Sequence, residues 1–297
     1  MNTRLPLVAA LALAPALASA NINIVFDYTY DTGGFFGTTQ KSILESAANV
    51  FESRITDELG AITSSGGNHY DFRFFDPRDP NQSLILSDRS VGNDELRIFV
   101  GASDLGGSTL GEGGPGGASA LGSPAFIASL NRGQTGVATQ TDFAPWGGFL
   151  SFSNRTDWYF DSNTNTLESF SGPDFYSVAI HEISHVLGFG TSASWNRLVV
   201  NPAAHTYNGT YGGTQPLNSN NDHWLNGLTS TINGSGSFET AMDPSILLGT
   251  RKELTDLDWN ALRDIGWQVA AVPEPETWAM LLAGLAVVSA GVARRRS

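Results

Sequence analysis

The stretch His181-Glu182-Ile183-Ser184-His185-Val186-Leu187-Gly188-Phe189-Gly190 constrains this chain more than any other. Its two histidines stand four apart, and a helix puts such residues on one face, one turn above the other. From that face both imidazoles can grip a single metal ion. Glu182, one position on, points elsewhere and is placed to take a proton from a water at the metal. The motif therefore demands a helix, and its neighbours supply one. Asp174 can cap its start, just after Gly172-Pro173. Ala179, Ile183 and Val186, flanked by Ile180 and Leu187, form an apolar stripe, and Gly188 can end the helix through positive φ. The spacing predicts a helix over 174–188.

A catalytic zinc site needs three protein ligands and one open position. Cysteine is absent, so histidine and carboxylate must do all the metal work, and no disulfide braces the fold. The motif resembles the compact metzincin pattern, which would place a third histidine at 191, where Thr191 stands. Three later residues remain as candidates: His205, His223 and Glu239.

Both ends of the chain read as addresses rather than fold. Residues 1–20 carry Arg4, an apolar run from Leu5 to Leu17, and Ala18-Ser19-Ala20, the pattern of a cleaved secretory signal. At the other end, Val272-Pro273-Glu274-Pro275-Glu276 leads into the apolar stretch 278–293 and then Arg294-Arg295-Arg296. As a helix that stretch spans about 24 Å, slightly short of the hydrocarbon core, with its arginines kept on the cytoplasmic side. It predicts export of the body and transient membrane contact by the tail. Pro-Glu-Pro, a hydrophobic run and a basic end resemble the PEP-CTERM sorting signal of Gram-negative bacteria, which an exosortase recognises and processes. A retained transmembrane helix as anchor is the plain alternative. The organisation expected is thus a signal peptide at 1–20, one catalytic domain at 21–272 and a sorting segment at 273–297. The formal net charge of −13 disfavours nucleic acid and anionic surfaces as partners.

Within the body, alternation at Ile22, Ile24, Phe26, Tyr28 and Tyr30 predicts a half-buried strand, and Tyr70, Phe72 and Phe74 predict another. Ile43, Leu44, Ala47, Ala48, Phe51, Ile55 and Leu59 line one face of a helix over 40–59. Leu96–Val100 suits a central strand, and 149–153 with 158–160 suit a strand pair. Gly101–Gly117 has no phosphate-loop lysine and reads as a glycine-rich surface loop near the cleft. Asp161–Asn165 resembles the start of a calcium loop, but Thr166 and Gly172 occupy its sixth and twelfth positions, which favours an Asn-rich turn. The element order gives an α+β fold: a mixed twisted sheet, two main helices and a C-terminal helix.

His-Glu-x-x-His-x-x-Gly-Phe, an insertion, His223-Trp224, then Met242-Asp243-Pro244 resembles the leishmanolysin-like branch of metzincins. Leu254–Trp267 resembles the last helix of that branch. The resemblance covers about 174–268 and implies a zincin/metzincin-like catalytic domain and one catalytic zinc held by His181, His185 and His223. It further implies Glu182 as general base and a methionine turn at Met242 beneath the metal. Gluzincins instead carry a third glutamate on a helix, and Pro244 with the glycines and serines of 233–237 argue against a helix at Glu239. No tyrosine follows Met242, so a tyrosine near the metal has no counterpart there. The strand 149–153 resembles the substrate-binding edge strand of matrixins, without ligands for a second metal. The expectation is a secreted zinc endopeptidase acting on a protein or peptide substrate. The alternative is a non-catalytic matrix or adhesion protein carrying a zinc site.

Overall fold

The computed structural model describes residues 21–271, apart from 162, 165 and 167. The expected signal peptide and sorting segment lie outside the described residues. Among the described residues no helix is long and apolar enough to cross a membrane.

A mixed four-stranded sheet organises the molecule. It uses β1 (Asn23–Asp27), β4 (Glu95–Ser103), β5 (Gly111–Pro115) and β7 (Gly147–Ser153), in the order β1-β4-β7-β5. The first three neighbours are parallel and β5 runs antiparallel at the edge. One face carries α1 (Thr38–Glu52) and α3 (Phe175–Val186), packed through Leu44, Ala47, Phe51, Leu150, Phe152, Ile180 and Ile183. The other face is covered by a second sheet, β3-β2-β6, built from β2 (His69–Asp76), β3 (Asp79–Leu86) and β6 (Gly117–Leu121). A separate aromatic core fills that gap, where Phe72 stacks on Trp146 at 3.8 Å between centroids. α2 (Pro124–Ser129) borders this core through Phe126. The fold is mixed α+β, as expected, but with several sheets in place of one, and few helices.

The metal-motif helix forms where its signals place it. Asp174 accepts from the Ser177 amide as N-cap, and Gly188 takes φ 100° just past the end. The helix predicted over 40–59 ends seven residues early, at Glu52. Ile55 and Leu59 are buried as expected, but from extended chain. Ile55 bridges to Val269, and Thr56 donates its amide to the Gln268 carbonyl at 2.9 Å, so sheet-like bonds to the C-terminal segment replace the helical ones.

Three further expectations fail. The stretch Gly101–Gly117 is not a surface loop: it holds the end of β4 and the whole of β5. Because β5 takes the edge, 149–153 lies inside the sheet between β4 and β5, and it is not an edge strand. Residues 158–160 do not pair with it either. Tyr159 bridges to Asp174, and the Trp158 indole donates to the Ser153 carbonyl at 2.8 Å, which turns the chain under the sheet.

The segment between His185 and Met242 is an elaborated excursion. It contains α4 (Ala193–Leu198), a small sheet of β8 (Val199–Asn201), β9 (Thr206–Gly209) and β10 (Gly213–Pro216), and the hairpin β11 (Thr229–Ile232) with β12 (Ser235–Glu239). The C-terminal helix α5 (Asp256–Asp264) closes the body, and Gly266 beyond it has φ 123°.

Candidate metal centre

Helix α3 presents His181 and His185 on one side, with their Nε2 atoms 3.2 Å apart. His223 arrives from the excursion. Its carbonyl accepts the Asn218 amide at 3.0 Å, and the next residue, Trp224, donates its amide to the Met242 carbonyl at 3.0 Å. These bonds bring the His223 Nε2 to 3.0 Å from both other Nε2 atoms. Among the described residues, this trio is the group of histidines and carboxylates able to hold a metal ion.

Three ring nitrogens this close cannot hydrogen-bond one another if each is an acceptor, and the outer nitrogens fix them as acceptors. The Nδ1–H of His181 donates to the Ala241 carbonyl at 2.7 Å, that of His185 to the Phe189 carbonyl at 2.8 Å, and that of His223 to the Asp222 carboxylate at 2.7 Å. Each bond holds the proton on Nδ1 and leaves a lone pair on Nε2. Burial and the neighbouring rings keep His181 well below its ordinary pKa and push His185 down to about 3. Neutral imidazoles aiming three lone pairs at one point repel unless a cation lies between them. Edges of 3.0–3.2 Å give a circumradius of about 1.8 Å, inside the roughly 2.0–2.1 Å zinc–imidazole bond length. The residues present therefore fit a zinc ion.

The other candidates lie elsewhere. His205 shares a hydrogen bond with the Asn221 side chain at 2.9 Å, and Glu239 sits 3.4 Å from the Lys252 ammonium. Thr191 donates its hydroxyl to the His185 carbonyl at 2.7 Å, closing the end of the motif helix rather than ligating. The calcium-loop resemblance also has a physical answer. Arg251 pairs with Asp161 at 3.0 Å and donates to the Thr164 and Thr166 carbonyls, so a guanidinium takes oxygens a calcium would need.

Glu182 lines the same cleft, a cavity of about 760 Å³. It is buried beneath β5, and burial, reinforced by Glu112, pushes its carboxyl up to about 8, with the Gly113 amide pulling back. A cation on the imidazoles acts in the lowering direction. The glycines of β5 make this packing possible: a Cβ at Gly113 would lie 2.5 Å from the Glu182 carbonyl oxygen, and one at Gly111 2.8 Å from its Cγ.

Met242 is fully buried, next to Ala241, whose carbonyl accepts from the His181 ring. The residue that fixes its segment has no signature in the sequence beyond its place in a helix cap. Asp258, inside α5, accepts from the Ala241 amide (3.0 Å), the Met242 amide (3.3 Å), the Trp224 indole (2.9 Å), and the Thr255 amide and hydroxyl (both 2.8 Å). One carboxylate thus joins the helix cap, the turn behind His181 and the residue after His223. Asp222, which accepts from the His223 ring, is a second residue of the candidate site that the sequence pattern did not single out, although its adjacency to His223 was a usable signal.

Residues 271–297 match the PEP-CTERM protein-sorting motif. The match supports a secreted bacterial protein recognised by exosortase sorting machinery and directed outside the cell or to the surface of a Gram-negative bacterium. No curated protein and no solved structure matches the chain.

Proposed function

We propose that this chain is a secreted zinc-dependent endopeptidase of metzincin type, with His181, His185 and His223 as metal ligands and Glu182 as general base. The observation that carries the reading is the buried trio of Nε2 lone pairs, each fixed by an oxygen acceptor behind its ring, with a buried carboxylate in the same cleft. When bound, a zinc ion supplies Lewis acidity and brings the pKa of a water it holds towards neutrality. The Glu182 carboxylate takes the proton of the attacking water and returns it to the leaving amine nitrogen. The free edge of β5, not 149–153, is where an extended peptide would add as a strand, because β5 is the strand with an open side next to Glu182.

The rival, a non-catalytic matrix or adhesion protein with a zinc site, does not account for Glu182. A purely structural site gains nothing from burying an unpaired carboxyl beside its ligands. The test is Glu182→Gln, assayed on casein and on quenched peptides with zinc content measured in parallel. We expect zinc retained and the rate reduced by roughly 10²–10⁴-fold. A variant keeping more than about a tenth of the wild-type rate removes Glu182 from the chemistry. A wild-type protein that binds zinc and cleaves nothing removes the peptidase reading.

A further inference from the structure

On the peptidase reading, the cleft carries a feature that bears on which peptides enter it. Successive residues of a strand face opposite ways. Gly111 and Gly113 face Glu182, so Glu112 between them points to the other face of β5. Gly114, on that same face, has its Cβ position 3.2 Å from the Phe149 ring. Phe75 packs edge-on against Phe149, 5.5 Å between centroids, yet remains 49 % exposed. Glu112, Phe75, Pro80 and Phe149 all line the cleft that holds the three histidines.

Glu112 is half-buried, and among the described residues no basic side chain lies within ion-pair distance of it and no hydrogen bond satisfies its carboxylate. The cations closest to the cleft chemistry are otherwise committed, with Lys252 held by Asp243 and the Ser245 carbonyl. Burial raises the Glu112 carboxyl, the mark of a charge partly stripped of water without a partner in return. An exposed aromatic ring and a lone carboxylate lining one cleft are complementary to one kind of side chain: a long apolar stem ending in a cation.

We propose that Glu112, with Phe75 and Pro80, forms a subsite on the β5 edge that takes a lysine or arginine side chain of the substrate. A peptide added as a strand to this edge turns every second side chain towards the Glu112 face, so one register position meets the carboxylate while its stem lies on Phe75. The chain's formal net charge of −13 favours the approach of the same cationic peptides.

The test uses the full chain loaded with zinc and a quenched peptide set in which each position around the cleaved bond is lysine, arginine, norleucine, glutamine or glutamate. Wild type should favour the basic residue at one position by roughly 5- to 10-fold in kcat/KM, the scale of one partly screened charge pair. Glu112→Gln should erase that preference, lowering kcat/KM for the basic peptides by that factor more than for the norleucine peptides, and Glu112→Lys should invert it towards glutamate. Equal losses on basic and neutral peptides would overturn the proposal, since Glu112 would then act through Glu182 rather than on substrate. Binding of the labelled peptides to Glu182→Gln, read by fluorescence polarisation, separates the two readings. Preferential binding of basic peptides without cleavage by wild type keeps the subsite and sinks the peptidase. Binding blind to the basic residue sinks the subsite, whatever wild type cleaves.

Discussion

Replacing Asp258 by asparagine tests whether one buried carboxylate couples the last helix to the metal centre. Its Oδ2 accepts from the Ala241 amide and from the Thr255 amide and hydroxyl, and its Oδ1 from the Trp224 indole and the Met242 amide. An asparagine keeps one of these oxygens and turns an NH₂ group towards the donors of the other. Kept at its best, it leaves two buried N–H groups facing a donor. Each such group costs about 1–3 kcal/mol, and removing a buried charge returns part of that. Burial raises the Asp258 carboxyl and the five donors pull against it, so the charge is held by those bonds alone. The net loss is about 2–4 kcal/mol, a fall of roughly 4–16 °C in Tm for a domain of this size. The specific expectation concerns the metal. The Ala241 carbonyl, behind the His181 ring, belongs to the residue whose amide Asp258 holds, and Trp224 follows His223. Zinc affinity, measured by competition with a chromophoric chelator, should fall about 10-fold or more, the usual cost of losing an outer-sphere partner. Asp256→Asn is the control. It removes bonds to Thr231 and Gly234 from the same helix but touches nothing at the metal, so it should cost stability and leave zinc affinity unchanged. If Asp258→Asn melts earlier yet binds zinc within about twofold of wild type, Asp258 only caps α5 and does not couple that helix to the metal.

The other expected outcomes follow from single contacts. His223→Ala should lose zinc, measured by atomic absorption, while His205→Ala and Glu239→Ala keep it, because only His223 closes the trio. Burial pushes the Asp57 carboxyl up to about 6, above an unfolded value of about 3.9. Between those values the folded chain holds a proton that the unfolded chain has lost, so stability falls as pH rises through the window. Asp57→Asn, which keeps an acceptor for the Gln268 amide, should match wild type near pH 4 and exceed it by about 1–2 kcal/mol at pH 7 in urea titrations. Gly113→Ala puts a methyl group 2.5 Å from the Glu182 carbonyl oxygen. Backbone must move there, so stability should drop by about 1–3 kcal/mol, and peptide cleavage should fall even with zinc fully bound.

What could be read from the chain divides by the range of the forces involved. Helix α3 was legible because its cap, stripe and stop are local: Asp174, Ile180 with Ile183, and Gly188 act within a few turns of one another. The α5 cap was legible for the same reason. The residues alone left His205, His223 and Glu239 open as the third member of the trio, because the choice depends on how the 190–222 excursion returns. That return rests on bonds such as Trp224 to Met242, which no local pattern encodes. The overlong helix at 40–59 is a period that continued by coincidence: Ile55 and Leu59 are core residues, but Val269 and its neighbours compete for their backbone.

The strand at 111–115, expected as loop, has a different cause, and it bears on the proposed chemistry. Glycine is a poor strand former, costing about 0.5–1 kcal/mol relative to alanine at each position, so Gly-Glu-Gly-Gly-Pro favours a loop on local grounds. Non-local contact reverses that preference. A Cβ at Gly116 would lie 1.9 Å from the Trp146 ring, and Cβ atoms at Gly111 and Gly113 would collide with Glu182. Any larger residue at those two positions would lift β5 away from α3, expose the Glu182 carboxylate to water and return its pKa towards the ordinary range. The same absence of side chains keeps the outer edge of β5 clear for an incoming backbone, and Glu112 is the one position there with a side chain able to discriminate among peptides. On the proposed reading, a strand made costly by glycine is what allows the base to be buried and the substrate to reach it.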